Sequence, residues 1–229
     1  MTDPHVTGGG GRRQTQLTRA RILAAARQQL GRDPDSSLSD IAEAADVVRR
    51  TVYDHFAGRS VLVEGLVADA GEALRRALAA VAIPDADTDT DADTDADTAT
   101  DTDAISALAR FVLALWPVGD RCRTLLRLSP QDLGAERAHD ILGPARDMAA
   151  AIIERGQRQG VFHTSVPPEP LSRSLERLLL ALLECVNAGT WSDDGTRAAT
   201  AALIAVGVDG DRAAAQVHGL GRPSLVDAR

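Results

Sequence analysis

Apolar positions recur along most of this chain at three- and four-residue intervals, the signature of helices that bury one face. Leu17, Ile22, Ala25, Ala26 and Leu30 form one such stripe and predict a first helix over residues 12–30, ended by Gly31, Asp33 and Pro34. Ser37-Leu38-Ser39-Asp40 places an acid three residues after a serine, the capping-box pattern, and opens a short helix reaching Ala45. A break at Asp46 separates it from a second short helix over 49–56. After Gly58 a long amphipathic helix runs over 60–81 and stops before Pro84. Further on, Ile105, Leu108, Val112 and Leu115 share a face of a helix expected to end at Trp116, before Pro117. Residues 122–128 predict a short helix and 139–159 a long one, with Gly160, Pro167 and Pro168 as a stop. Leu171, Leu175, Leu178 and Leu182 follow at 4, 3, 4 spacing, a seam suited to helix-on-helix packing. A last helix over 196–206 turns Ala198, Ala201, Ala202 and Ala205 to one side. About nine helices result, and the Gly- and Ala-rich stretch from Asp209 reads as a frayed tail.

Composition supports the all-α reading. The chain has 229 residues, 44% hydrophobic but only 3% aromatic, so its core must be built from Ala, Leu, Ile and Val. All 25 basic residues are Arg. Without lysine there is no Schiff base, no pyridoxal-phosphate linkage and no Walker-type phosphate loop. Cys122 and Cys185 are far apart and lack a partner motif, which argues for buried thiols in a reducing compartment. No two histidines stand at i and i+4, and neither a G-x-S-x-G elbow nor a dinucleotide glycine fingerprint occurs. The expectation is therefore a protein that is not an enzyme and has neither a cofactor nor a metal. Apolar runs such as 178–183 are too short to span a bilayer and the N-terminus does not read as a signal, so the sequence predicts a cytoplasmic protein with no membrane partner.

The net charge of −8 is unevenly distributed. Residues 81–104 carry nine Asp and no Arg, alternating with Thr and Ala, and hold no large apolar side chain between 85 and 103. Such a segment cannot offset its ordering entropy by burial, so it is expected to be an extended linker. Two roles are open for it: a solvated spacer, or a tethered polyanion that competes with phosphate for an arginine surface. It lacks the glycine and terminal Glu of an EF-hand loop, so calcium binding is not expected. The domain division that follows is a flexible arm (1–14), a helix-turn-helix domain (15–60), a connecting helix (61–83), the acidic linker (84–104), a second helical domain (105–207) and a flexible tail (208–229).

Two short helices after a longer one have the layout of a helix-turn-helix. At 100° per residue, Val52 and Phe56 lie on one side of the second helix, able to pack on Ile41 and Leu38, while Arg49, Arg50 and Tyr53 fall within about a 100° arc on the other. Guanidinium groups can fork onto guanine O6 and N7, and a phenol can meet a thymine methyl or a phosphate. Spacing alone leaves a merely solvated Arg-rich helix equally in play. The run Ser37 to Ala45, with Ile41-Ala42-x-x-Ala45, followed by Val47, Thr51-Val52-Tyr53-Asp54-His55-Phe56, Arg59 and Leu62, closely resembles the DNA-binding region of the tetracycline-repressor (TetR) family. Gly156 to Phe162 is similar to the end of the long helix in that family's regulatory domain.

The resemblance implies a homodimeric repressor on double-stranded DNA, with three N-terminal helices on the duplex and a C-terminal helical domain that dimerises and holds a small-molecule effector. Carried over by position, Arg49, Arg50 and Tyr53 contact bases, while Ser37, Thr51, His55 and Arg59 hold phosphates. Two positions depart from the family pattern: Asp46 stands where the turn usually has Gly, and Val48 where a capping Ser is usual. Asp tolerates a left-handed backbone, whereas Val48 cannot cap, at a local cost of about 1 kcal/mol. Leu171, Leu175, Leu178, Leu182, Ala198, Ala202 and Ala205 are the expected dimer contacts. Residues 105–116, Leu125, Met148, Ile152 and Leu182 are candidate effector contacts alongside plain core packing, with Trp116, whose indole N–H needs an acceptor, the leading one. The sparse charge on these faces suits an apolar or amphipathic effector. The alternative class is a helical adaptor that binds only protein.

Overall fold

A computed structural model describes residues 8–82, 96–128 and 135–220. Among these, nine helices and no strand occur: α1 (Gly8–Arg32), α2 (Leu38–Ala44), α3 (Arg49–His55), α4 (Arg59–Ala82), α5 (Ala96–Arg127), α6 (Ala135–Arg158), α7 (Pro168–Asn187), α8 (Thr196–Ala205) and α9 (Gly210–Leu220). They divide into two units, residues 1–70 with 121–139 and residues 71–120 with 140–229.

Among the described residues the count of nine is reached by compensation. The helix predicted to end at Trp116 instead continues through Pro117 as the single 32-residue α5. Proline removes one backbone donor, but buried Trp116 and Cys122 anchor the helix on either side of it. Burying two such side chains at about 1.5 to 3 kcal/mol each is enough to offset the roughly 3 kcal/mol a helical proline costs. At its other end α5 begins at Ala96, inside the segment expected to be an extended linker. Extending an anchored helix needs no new nucleation, which is the costly step. Residues 84–95 of that segment lie outside the described residues.

The expected frayed tail contains α9. Asp209 caps it, its carboxylate accepting from the backbone N–H groups of Asp211 and Arg212 at 3.0 and 3.2 Å. Ala213 and Val217, one helical turn apart, are buried in the core of the second unit. The arm assigned to residues 1–14 is likewise helical from Gly8, and residues 1–7 lie outside the described part.

The first unit packs Ile22, Ala26 and Leu30 of α1 with Ile41 of α2, Val52 and Phe56, and Leu62 and Val63 of α4, all buried. Leu17, assigned to the same stripe, is 59% exposed. The opening half of α4 thus belongs to this core, in contrast to the separate connecting helix expected over 61–83, and the α5 residues Cys122, Leu125 and Leu128 are buried in the same unit. The second unit has a continuous core from α4 (Leu74, Leu78) through α9, lined mostly by Leu, Ile, Val and Ala. Its Gly156-to-Phe162 segment closes α6 tightly. Val161 and Phe162 both donate to the Gly156 carbonyl, Gly160 takes φ +75°, and a Cβ on Gly156 would lie 2.1 Å from the Phe162 ring.

Candidate nucleic-acid interface

The scaffold of the site is the α2–turn–α3 segment, and local chemistry sets each part of it. Ser37 caps α2 as its spacing predicts: its hydroxyl oxygen accepts from the N–H groups of Ser39 and Asp40 at 3.2 and 3.3 Å. The Asp40 carboxylate reciprocates, accepting the Ser37 N–H at 2.8 Å. That backbone bond, then the Ser37 side chain, holds the Asp40 carboxyl below the usual carboxylate range.

Helix α2 ends in a Schellman motif. Val47 donates to the Ala42 carbonyl and Asp46 to the Glu43 carbonyl, each at 3.0 Å, with Asp46 at φ +50°. This is the left-handed position at which Asp stands in for Gly. Arg21 reaches the Asp46 carbonyl from α1 at 3.5 Å. Val48 at the α3 N-cap has an extended backbone, no side-chain cap bond and a 70% exposed side chain, in line with its inability to cap.

Helix α3 presents two faces. Val52 and Phe56 are fully buried, whereas Arg49, Arg50 and Tyr53 are exposed, Tyr53 by 41%. Arg49 and Tyr53 meet: the guanidinium Nη2 donates to the phenol oxygen at 3.2 Å and lies over the ring, 5.4 Å from its centroid. Ser37 is exposed, and Thr51 and His55 are half-buried. Arg59 differs from the other phosphate candidates because its guanidinium donates to the Ser36 carbonyl at 2.7 Å and to the Pro34 carbonyl. It therefore fastens the loop before α2 to the start of α4.

Two supporting residues escape sequence reasoning. Arg19 of α1 stacks on the buried Phe56 ring at 4.4 Å. Gly65 of α4 lets that ring approach, since a Cβ there would lie 2.8 Å from Phe56 Cε1. A glycine inside a helix pattern is a visible signal of close approach; the arginine carries none.

Residues 22–66 match the family model described as bacterial regulatory proteins, tetR family. Over these residues the chain is similar to the DNA-binding region of the TetR family. Comparison with curated proteins yields no match. Among solved structures, a γ-butyrolactone receptor (ArpA-like protein) is 16% identical over 90% of this chain and 97% of its own, with a TM-score of 0.61. The TetR-family regulator PfmR from Thermus thermophilus is 18% identical over 83% and 96%, with a TM-score of 0.56. A HlyIIR mutant protein is 17% identical over 85% and 98%, also at 0.56. At these identities the likeness shows a shared TetR fold, the N-terminal helix-turn-helix followed by a helical domain.

The candidate residues of the second unit are distributed otherwise than expected for a TetR-type dimerisation and effector domain. Leu171, Leu175, Ala198 and Ala202 are buried within one chain, so most of the predicted dimer seam is intramolecular core. Leu178 and Leu182 are half-buried and Ala205 is exposed, beside Ile204 at 49%. Among the effector candidates, Trp116, Met148, Ile152 and Leu182 share the second core, while Leu125 is buried in the first unit. The Trp116 indole N–H already has an acceptor in the Asp193 carbonyl at 3.4 Å, and its ring packs edge-on against Trp191, 6.4 Å between centroids at 87°. No helix among the described residues is long and apolar enough to cross a membrane.

Proposed function

We propose that this protein is a ligand-responsive transcriptional repressor that binds a palindromic operator as a homodimer. The observation that carries the reading is α3 itself: Arg49, Arg50 and Tyr53 stand exposed on a helix whose other side, Val52 and Phe56, is fully buried, behind a capped α2 and a tight turn. A helix so held can enter a major groove without unfolding its own core. Arg49, Arg50 and Tyr53 face the base edges, and Ser37, Thr51 and His55 lie toward phosphates. Arg59 holds the loop and leaves phosphate contact to the others.

The dimer contact uses what α7 and α8 leave accessible, Leu178, Leu182, Ile204 and Ala205. Two copies related by a two-fold axis then set the spacing of two α3 helices. The effector is apolar or amphipathic and acts by preferring the dimer whose α3 helices are wrongly spaced, so that its differential affinity alone weakens DNA binding. The shared fold of a γ-butyrolactone receptor supports a small-molecule effector.

Sequencing genomic fragments that co-purify with the protein tests this reading. The expected result is enrichment of an inverted repeat. Log affinity for that repeat is expected to fall with log salt, by about 0.9 for each phosphate that a cationic side chain neutralises. No enrichment, or a slope near zero, overturns the reading and leaves a protein-binding adaptor.

A further inference from the structure

The exposed arc of α3 holds its two arginines in different conditions. Arg50 makes no hydrogen bond or ion pair among the described residues, so only its own rotamer preferences restrict it. Arg49 is closed onto Tyr53 one turn later by the Nη2-to-phenol bond of 3.2 Å and by the stacking at 5.4 Å. The same contact makes the Arg49 guanidinium more basic than usual, the hydrogen bond to the phenol being the larger cause.

A free arginine must give up most of its rotamer freedom to fork onto a base, which erodes both affinity and selectivity. A phenol has only two side-chain torsions, and the neighbours of Tyr53 on the opposite face, Val52 and Phe56, are locked in the core. The ring therefore has few conformers to lose. It occupies one of the five guanidinium N–H groups and leaves enough of the others for a two-pronged contact, the geometry that matches guanine O6 and N7.

We propose that Arg49 and Tyr53 act as one reading head for a guanine in each operator half-site, with Tyr53 as the positioning residue that aims Arg49 and not as a reader of its own base. The inference rests on the DNA-binding reading above and goes beyond it by assigning a base and a division of labour.

Selection from a randomised duplex library with the full chain, followed by affinity measurements on the selected duplex and on one with the guanine replaced by adenine, tests it. Arg49→Ala is expected to lower the preference for guanine at one position per half-site by about tenfold or more. Tyr53→Phe, which keeps the ring but removes the acceptor, lowers the preference at that same position by about threefold to tenfold. The double variant is no less selective than Arg49→Ala alone, because both changes act on one contact. Intact guanine preference in Tyr53→Phe, a change at a different position, or simple addition of the two losses overturns the pairing. Failure of the wild-type protein to select any motif overturns the DNA-binding reading itself, an outcome visible before any variant is made.

Discussion

The two units are built from the same residue types, yet their sequences carry different kinds of information. In the first, local structure is set by contacts a few residues apart: Ser37 with Asp40, Asp46 with Glu43, Arg49 with Tyr53. In the second, helices pack through Leu and Ala at helical spacing, as in Leu171, Leu175 and Leu183 of α7. Local chemistry has a direction and a partner identity that a sequence states outright. Apolar periodicity states only that a face is covered, without saying by what.

The contrast is broken most severely at Phe56. Replacing it with Ala removes the ring that Arg19 and Gly65 enclose and is expected to cost about 3–5 kcal/mol of stability. Amide hydrogen exchange should accelerate across α1–α4 and leave α7–α9 protected; uniform acceleration would show the two units to be one cooperative body. The next test separates the two faces of the C-terminal helices. Leu175→Ala should lower stability by about 2–5 kcal/mol with the oligomeric state kept, because Leu175 is covered by its own chain. Ile204→Arg should weaken self-association by about tenfold, equivalent to ~1.4 kcal/mol, with the melting temperature of the folded chain little changed. Sedimentation across a concentration series reads both, and a dimer indifferent to Ile204→Arg would move the interface elsewhere.

Within that contrast, the fold class, the order of the first four helices, the capping box and the two-faced character of α3 were legible because caps, turns and Tyr-x-His-Phe are local. The dimer seam was not. Leu171 to Leu182 has the spacing of an intermolecular seam and of an intramolecular one alike, and only burial distinguishes them. Pro117 misled for a related reason: a local breaker was weighed without the distant packing of Trp116 and Cys122 that overrides it. In α9 the signal was present in Asp209 followed by Ala213 and Val217, but small residues gave it the look of a tail. Arg59 has a local task that its place in the motif did not announce, since its guanidinium holds two carbonyls of its own domain.

Smaller effects refine the local half of the comparison. Val48→Ser supplies the missing α3 cap and is expected to stabilise by about 1 kcal/mol, raising the melting temperature without abolishing operator binding; an unchanged or lowered value would place the cap elsewhere. The smallest effect concerns Asp40. Its carboxyl is held low in the folded chain, so its contribution to stability is complete above the ordinary carboxylate range and is lost as pH falls through the lowered folded value. Asp40→Asn should therefore flatten the acid limb of the stability–pH curve and leave the curve at neutral pH nearly parallel to that of wild type.

The two peptide oxygens that Arg59 grips in the loop ahead of α2 are uncharged at every pH, and added electrolyte weakens such bonds far less than it weakens an exposed ion pair. As ionic strength rises, those two tethers still hold the root of the helix-turn-helix. A titration with potassium chloride then reports chiefly on ions displaced from the duplex, so the exponent it yields becomes a fair count of the cationic groups that touch the polymer.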